Sequence, residues 1–157
     1  MAGISMPKLS LIVPTYNEKE NIAPLFQRIA AAISDFEIIF VDDNSPDGTA
    51  QAIRELQSRD GRVKLLQRPH KMGLGTAIMD GLRLAEGEFV GMMDADLSHD
   101  AKTLPAMIEA LSDSDIIIGS RYVKGGKVQG WPLYRLIVSR VAILVAQIML
   151  HPPARDT

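Results

Sequence analysis

Short apolar runs alternate along this chain with segments of helical spacing, and this alternation most constrains its fold. The apolar runs predict strands, and the segments between them predict helices of roughly ten residues. Strands are predicted at 9–13, 37–41, 63–66, 89–93 and 115–118, and helices at 22–33, 49–57, 76–84 and 102–111. Because this order is typical of βαβ units, we predict an α/β fold with a mostly parallel sheet flanked by helices.

Polar or acidic residues follow at once where four of the predicted strands end. They occupy positions 14–18, 42–44, 94–96 and 119–122. Parallel strands end on one edge of an open α/β sheet, and ligands bind in the crevice outside those carboxyl ends. We therefore expect the four motifs to converge on one site.

Composition limits the chemistry available to that site. The chain has 157 residues, 46% of them hydrophobic, which is enough for one globular core. It contains no cysteine, so disulfides and thiolate metal sites are excluded and a metal needs oxygen or histidine ligands. Residues 1–8 lack a basic region followed by an apolar one, which predicts no secretory signal and a cytosolic chain.

The charge is distributed unevenly between the two ends of the chain. Residues 1–120 carry a net charge of −7, and residues 121–157 carry +5. The basic end contains an apolar run at 141–150. As a helix this run would be about 15 Å long, half of the ~30 Å hydrocarbon core, so it does not predict a membrane span. It suits either a helix on an anionic lipid surface or a core or dimer helix with solvated bases.

Asp94 and Asp96 leave an apolar strand two residues apart, so in extended geometry both carboxylates face the same side. Two hard oxygen donors suit Mg²⁺ or Mn²⁺, which completes its shell with phosphate oxygens and water. A pair of this type taken alone favours a solvated turn, but its position at a strand end reverses that preference and predicts a metal-diphosphate site. The three histidines lack metal-pair spacing and are predicted to be structural or surface residues: His70, His99 and His151.

The first two strand ends offer groups for a nucleotide. Tyr16 provides a ring for stacking, and Glu18 provides a carboxylate for ribose or, alternatively, a charge at a helix start. Asp43, together with Asp42, is placed to bind a base N–H or a ribose hydroxyl, although the same stretch has turn chemistry.

A glycine-containing loop follows the third predicted strand. The spacing of Gly73 and Gly75 matches neither the P-loop nor the dinucleotide fingerprint, which argues against ATP and NAD folds of those types. The glycines are expected to permit a close turn into the next helix, with Lys71 able to reach a phosphate.

Taken together, the motifs resemble those of the family 2 glycosyltransferases. The matching segments are 14–18, 41–49, 73–77, 94–99 and 119–122, helped by 125–126 and 130–133. They appear in the same order and cover nearly the whole chain. Within the family the resemblance is to the dolichol-phosphate (polyprenyl-phosphate) mannose synthases.

This resemblance implies a GT-A fold, that is, the Rossmann-like fold of nucleotide-diphospho-sugar transferases. It also implies inverting transfer of mannose from GDP-mannose to a polyprenyl (dolichyl) phosphate, with Mg²⁺ or Mn²⁺ as cofactor. The residues expected to bind the donor nucleotide are Pro14, Tyr16, Glu18, Asp42, Asp43, Lys71, Asp94 and Ala95. Those expected to act in catalysis are Asp96, Arg121 and Arg135, and those expected at the metal are Asp94, Asp96 and Ser98.

The resemblance also implies partners and a location. A nucleotide sugar, a polyprenyl phosphate lipid and a membrane surface are expected, and nucleic acid is not; homo-oligomer formation stays open. The expected location is the cytoplasm, peripheral at the cytoplasmic face of a membrane. The +5 segment fits this location because a lipid-linked acceptor presents its phosphate at such a surface.

Two departures from the family pattern qualify the expected activity. Some members have a glutamine metal ligand where this chain has Ser98, which affects metal affinity or preference. The family's catalytic domain generally continues past the point where this chain stops, so we expect a C-terminal truncation. The predicted organisation is a catalytic core at 1–131 and an incomplete basic and apolar interface segment at 132–157. The alternatives are a UDP-sugar (for example UDP-glucose) polyprenyl-phosphate transferase and a non-catalytic nucleotide-sugar-binding fragment.

Overall fold

A computed structural model of the chain describes residues 8–120. The strands are β1 (Leu9–Thr15), β2 (Phe36–Asp42), β3 (Val63–Gln67) and β4 (Phe89–Met92). The helices are α1 (Lys19–Ala32), α2 (Thr49–Gln57), α3 (Leu74–Leu82) and α4 (Leu104–Ala110), with a 3₁₀ turn at Ala101–Thr103 before α4. Strands and helices alternate, which confirms the prediction of an α/β fold.

All pairings in the sheet are parallel, and the strand order is β3-β2-β1-β4. The chain therefore adds β2 and β3 on one side of β1 and then places β4 on its other side. At the centre of the sheet, Leu11 of β1 lies between Ile38 of β2 and Gly91 of β4. The order reverses between β1 and β4, and in open α/β sheets ligands bind outside the carboxyl ends at such a reversal.

Alternate side chains of β1 enter two apolar clusters. Leu11 and Val13 belong to the larger cluster together with Ile29 of α1. Ile12 belongs to the smaller cluster together with Ala77 of α3. Because the inner strands are covered on both faces in this way, apolar residues follow one another without alternation at 11–13 of β1 and 38–41 of β2.

One predicted strand is wrong. Residues 115–118 form neither strand nor helix, and Ile116 and Ile118 are 77% and 58% exposed. A parallel strand needs a neighbour for its ladder and cover for its apolar side chains, and residues 8–120 provide neither for this segment. The motif at 119–122 extends past residue 120, so Arg121 lies outside the described residues, as do Arg135, the division at residue 131 and the segment 132–157. Within 8–120, no helix has the length and apolar character needed to cross a bilayer.

A buried carboxylate near the amino ends of the strands holds the sheet edge opposite the predicted site. Glu37 is 4% exposed; its Oε1 accepts from Ser10 Oγ at 2.5 Å and from Glu86 N at 2.7 Å, and its Oε2 lies 2.7 Å from Lys64 Nζ. Burial raises the pKa of Glu37, but the hydrogen bonds from Lys64, Ser10 and Glu86 outweigh burial and lower that pKa below its ordinary value.

Acid should therefore destabilise the fold through Glu37. Since the pKa is lower in the folded protein, this contribution is fully present above the unfolded value of 4.5 and is lost as the pH falls through the folded pKa. We expect Glu37→Gln to cost about 1–3 kcal/mol of unfolding free energy at pH 7. Urea unfolding should show this difference narrowing below pH 4.5. Glu88→Gln, at an exposed position, should show neither effect, and a Glu37→Gln difference independent of pH would contradict this account.

Candidate functional site

Strained backbone is concentrated where the strands end. Asn17 follows β1, Asn44 follows β2 and Leu97 follows β4, with φ values of 61°, 57° and 62°. They are the residues other than glycine with positive φ in the described part of the chain. Each such conformation costs on the order of 1–3 kcal/mol, and strain of this kind clusters at binding and catalytic sites. The carboxyl edge of the sheet is therefore the candidate site.

The loop after β1 presents an aromatic ring and a carboxylate at this edge. Tyr16 is 39% exposed, and Pro14 before it is half-buried at the end of β1. Glu18 is the N-cap residue of α1, and its Oε2 accepts from Asn21 Nδ2 at 2.6 Å. The backbone N–H of Glu18 donates to Thr49 Oγ1 at 3.0 Å, which ties this loop to the start of α2. The ring of Tyr16 thus reaches solvent, where it can stack on a ligand, and the loop that carries it is hydrogen-bonded to the start of α2.

Asp42, the last residue of β2, is fully buried. Its Oδ1 accepts from Thr15 Oγ1 at 3.2 Å and from Ser45 Oγ at 2.5 Å, and its Oδ2 accepts from Ser45 N at 3.0 Å. A carboxylate without exposed surface cannot touch a ligand in this conformation. The structure gives Asp42 the turn role that the sequence left open, and its contact with a nucleotide stays a prediction.

Asp43 forms a buried ion pair with Arg68. Arg68 Nε and Nη2 donate to Asp43 Oδ1, and both residues are buried, with 6% and 4% of their surfaces exposed. Asp43 Oδ2 accepts from the N–H groups of Met72 and Gly73 at 3.2 and 3.3 Å. Arg68 also donates to Gly73 O at 2.9 Å and to Thr76 Oγ1 at 2.7 Å. Because both oxygens of Asp43 accept from the protein, its carboxylate holds the loop between β3 and α3.

Sequence reasoning left Arg68 without a role. Nothing in its local sequence distinguishes it from an exposed arginine, since its partner Asp43 lies 25 positions away. Only the pairing of β2 with β3, which sets Asp42 opposite Gln67, brings the two residues together.

The same loop reaches the ring of Tyr16. The Nζ atom of Lys71 lies 3.9 Å from the centroid of that ring, a cation–π contact. Two residues predicted separately to bind the nucleotide therefore contact each other across the candidate site.

The acidic pair after β4 has the predicted geometry. Asp94 and Asp96 are exposed, and they alternate with Met93 and Ala95, which are buried at 5% and 3% exposure. Both carboxylates therefore reach solvent while the backbone between them is anchored in the core. The methyl group of Ala95 packs inward, so this residue could contact a donor only through its backbone.

Ser98 and His99 turn back towards the acidic pair. Ser98 N donates to Asp96 Oδ1 at 2.9 Å, and His99 Nε2 lies 3.4 Å from Asp94 Oδ2. Hydrogen bonds from the side chain and backbone of Ser98, together with the nearby His99, lower the pKa of Asp96, so its carboxylate is ionised at neutral pH. His99 was predicted to be structural or surface. No pairing spacing in the sequence identifies its contact with Asp94.

A divalent cation fits Asp94 and Asp96 only if a bound ligand supplies further oxygen atoms to its coordination shell. Across residues 8–120, no group of three or more His, Asp or Glu side chains is arranged to hold a metal. Mg²⁺ and Mn²⁺ need few protein carboxylates when phosphate oxygens and water complete the shell. Asp94 and Asp96 meet that requirement, whereas Ser98 already hydrogen-bonds Asp96.

Comparisons with known proteins give a consistent set of matches. A model of the family described as Glycosyl transferase family 2 matches residues 10–153. The dolichol-phosphate mannosyltransferase of Pyrococcus furiosus is 48% identical over 152 residues, which cover 95% of this chain and 43% of that protein. The enzyme of the same name from Saccharomyces cerevisiae is 39% identical over 144 residues, covering 88% of this chain and 54% of that protein. The chain thus spans about half the length of these relatives.

Solved structures match as well. The mannosyltransferase PcManGT of Pyrobaculum calidifontis, solved in complex with GDP-Man and Mn²⁺, superposes with a TM-score of 0.61 at 31% identity, over 70% of this chain and 34% of that one. Residues 1–349 of S. aureus TarS, solved in complex with UDP-GlcNAc, give a TM-score of 0.56 at 34% identity, over 65% of this chain and 31% of that one.

Proposed function

This chain belongs to glycosyl transferase family 2 and has the α/β fold of GT-A type, and on that premise we propose that it binds GDP-mannose for transfer of mannose to dolichyl or another polyprenyl phosphate. One observation carries the proposal: the exposed ring of Tyr16 and the exposed carboxylates of Asp94 and Asp96 flank the reversal of strand order between β1 and β4. The names of the relatives at 48% and 39% identity support the mannosyl and dolichyl assignments.

The donor would lie along the carboxyl edge of the sheet. In this arrangement the base stacks on Tyr16, Glu18 binds the ribose, and the diphosphate extends towards Asp94 and Asp96. The backbone at Pro14 and Ala95 lines the same edge. Asp43 and Asp42 shape the site by holding the loops around it.

Asp94 and Asp96 are the residues that would hold a divalent cation. The PcManGT complex with GDP-Man and Mn²⁺ supports this assignment. Bound there, Mn²⁺ or Mg²⁺ would supply positive charge next to the departing diphosphate. Ser98 would keep Asp96 oriented and ionised through its hydrogen bonds to that carboxylate.

The acceptor needs little activation. A phosphate monoester carries about −1.5 to −2 charges near neutrality, so its oxygen is already nucleophilic. It would attack the anomeric carbon from the face opposite the diphosphate, and the bond to GDP would break with inversion. Arg121 and Arg135 lie outside the described residues and are proposed to bind the donor or acceptor phosphates. Asp96 is proposed to act next to the departing diphosphate. The lipid acceptor places this step peripherally at a membrane, for which we propose the cytoplasmic face.

A UDP-sugar donor is the second candidate. The match to TarS in complex with UDP-GlcNAc favours it. Stacking on Tyr16 is compatible with such a donor as well, since an aromatic ring does not distinguish guanine from uracil. A non-catalytic nucleotide-sugar-binding fragment is the third, since the chain spans about half of its relatives.

Calorimetric titration of the purified chain with GDP-mannose and with UDP-glucose, each with and without Mn²⁺, tests these candidates. We expect GDP-mannose to bind in a Mn²⁺-dependent way and UDP-glucose to bind at least about tenfold more weakly, a difference of about 1.4 kcal/mol. Tighter binding of UDP-glucose than of GDP-mannose would favour the second candidate, a UDP-sugar donor. Failure of both to bind would overturn donor binding by this chain. Transfer of labelled mannose to dolichyl phosphate in vesicles then separates the enzyme from the fragment.

A further inference from the structure

We propose that Lys71 exchanges partners when the donor binds: its ammonium occupies the face of the Tyr16 ring in the free protein, and it moves to the donor diphosphate when the base takes that face. This inference rests on the proposed function and adds an affinity-determining role for Lys71. It follows from the contact of Lys71 Nζ with the ring, 3.9 Å from its centroid.

The ammonium and a base cannot share one ring face. A stacked base lies in van der Waals contact with the ring, which is the space that Nζ already fills. A cation–π contact at an exposed site is weak, and both Lys71 and Tyr16 are exposed. Leaving the ring therefore costs little, provided that the ammonium finds another partner.

Only the side chain of Lys71 needs to move. The backbone N–H groups of the next two residues, Met72 and Gly73, donate to Asp43 Oδ2 at 3.2 and 3.3 Å. Arg68 holds the same turn through Gly73 O and Thr76 Oγ1. The buried pair of Asp43 and Arg68 thus fixes the base of the loop, while the flexible four-carbon stem of the lysine can swing.

The diphosphate is the anion that would attract the released ammonium. Among the carboxylates of this edge, the half-buried Glu18 already accepts from Asn21, and the exposed Asp94 and Asp96 are the proposed cation ligands. A donor whose base lies on Tyr16 brings its own anionic phosphates into the loop's reach. The exchange replaces a weak contact with a charge-assisted hydrogen bond, which links recognition of the base to recognition of the phosphates.

The test compares guanosine, which has a base but no phosphate, with GDP, using calorimetry on wild-type protein and on Lys71→Ala. Removing the lysine side chain beyond its β carbon frees the ring face, so guanosine should bind about two- to fivefold more tightly. The same variant loses a phosphate contact, so GDP should bind about tenfold more weakly. Opposite signs for the two ligands are the signature of the exchange.

Three controls complete the design. Lys71→Arg keeps a cation that can stack on the ring and bind phosphate, so it should not reproduce the opposite shifts of Lys71→Ala. Lys102→Ala removes an exposed lysine from the 3₁₀ turn and should change neither affinity. Circular dichroism should show unchanged folding of Lys71→Ala, since the side chain is exposed.

The outcomes separate this inference from the proposed function. If wild-type protein binds GDP but Lys71→Ala shifts the affinities for guanosine and GDP in the same direction, or leaves the affinity for guanosine unchanged, the exchange is overturned and donor binding stands. If wild-type protein binds neither GDP nor GDP-mannose, the proposed function fails and the exchange fails with it.

Discussion

Arg68→Ala should lower the free energy of unfolding by about 3–5 kcal/mol, because it leaves the carboxylate of Asp43 buried without its cation. The two side chains are 8% and 3% exposed, so water cannot replace the guanidinium. The substitution also removes the hydrogen bonds to Gly73 O and Thr76 Oγ1. Urea unfolding followed by circular dichroism measures the loss.

Two variants establish the cause of that loss. Arg83→Ala removes an exposed arginine, 71% accessible, from its pair with Asp80 and should cost less than about 1 kcal/mol. The double variant Arg68→Met with Asp43→Leu removes both buried charges, but it also removes the partners of Met72 N, Gly73 N and Gly73 O. It should therefore recover part of the stability lost in Arg68→Ala. If Arg68→Ala costs no more than Arg83→Ala, the pair does not hold the loop.

Asp96→Asn should weaken Mn²⁺-dependent binding of GDP-mannose by about 100-fold, or about 2.7 kcal/mol. The variant keeps the shape of the side chain but removes the charge that a hard cation requires. Asp94→Asn should have a similar effect, because within residues 8–120 these two exposed carboxylates directly follow β4. Calorimetry measures donor affinity, and electron paramagnetic resonance of free Mn²⁺ measures metal affinity independently.

The matched control is Asp35→Asn, an equally conservative change at the opposite edge of the sheet. Asp35 immediately precedes β2 and is exposed, and it accepts from Lys8 N at 3.2 Å. Asp35→Asn should leave the affinities for GDP-mannose and for Mn²⁺ unchanged. Mn²⁺-dependent donor binding by Asp96→Asn at the wild-type level would remove Asp96 from the metal site.

The local sequence pattern was sufficient to predict the strands and helices of residues 8–110. The four apolar runs that became strands contribute side chains to the buried clusters, although Val90 and Met92 of β4 are exposed, and their hydrophobicity was enough to predict them. The run at 115–118 has the same local character but has no pairing partner among residues 8–120, and there the prediction was wrong. Whether a short apolar run becomes a strand depends on its neighbour, which a local window does not contain.

The residues of the candidate site likewise divide into those that local sequence predicts and those whose roles depend on tertiary contacts. The geometry of Asp94 and Asp96 could be predicted because their alternation with the buried Met93 and Ala95 is a property of a single strand end. The roles of Asp42, Asp43 and Arg68 could not. Each carboxylate can serve a ligand or an internal donor, and the choice depends on which side chains the fold places beside it.

The sequence by itself determined the alternation of elements, the polar strand ends and the family to which the chain belongs, since these depend on residue type and order. Tertiary structure alone decided that β4 joins the far side of β1, which places the acidic pair beside the loop of Tyr16. It also decided that Arg68 neutralises Asp43 and that Lys71 lies on Tyr16. The physical reason is that these contacts join residues 25 and 55 positions apart, and only the packing of the sheet brings such residues together.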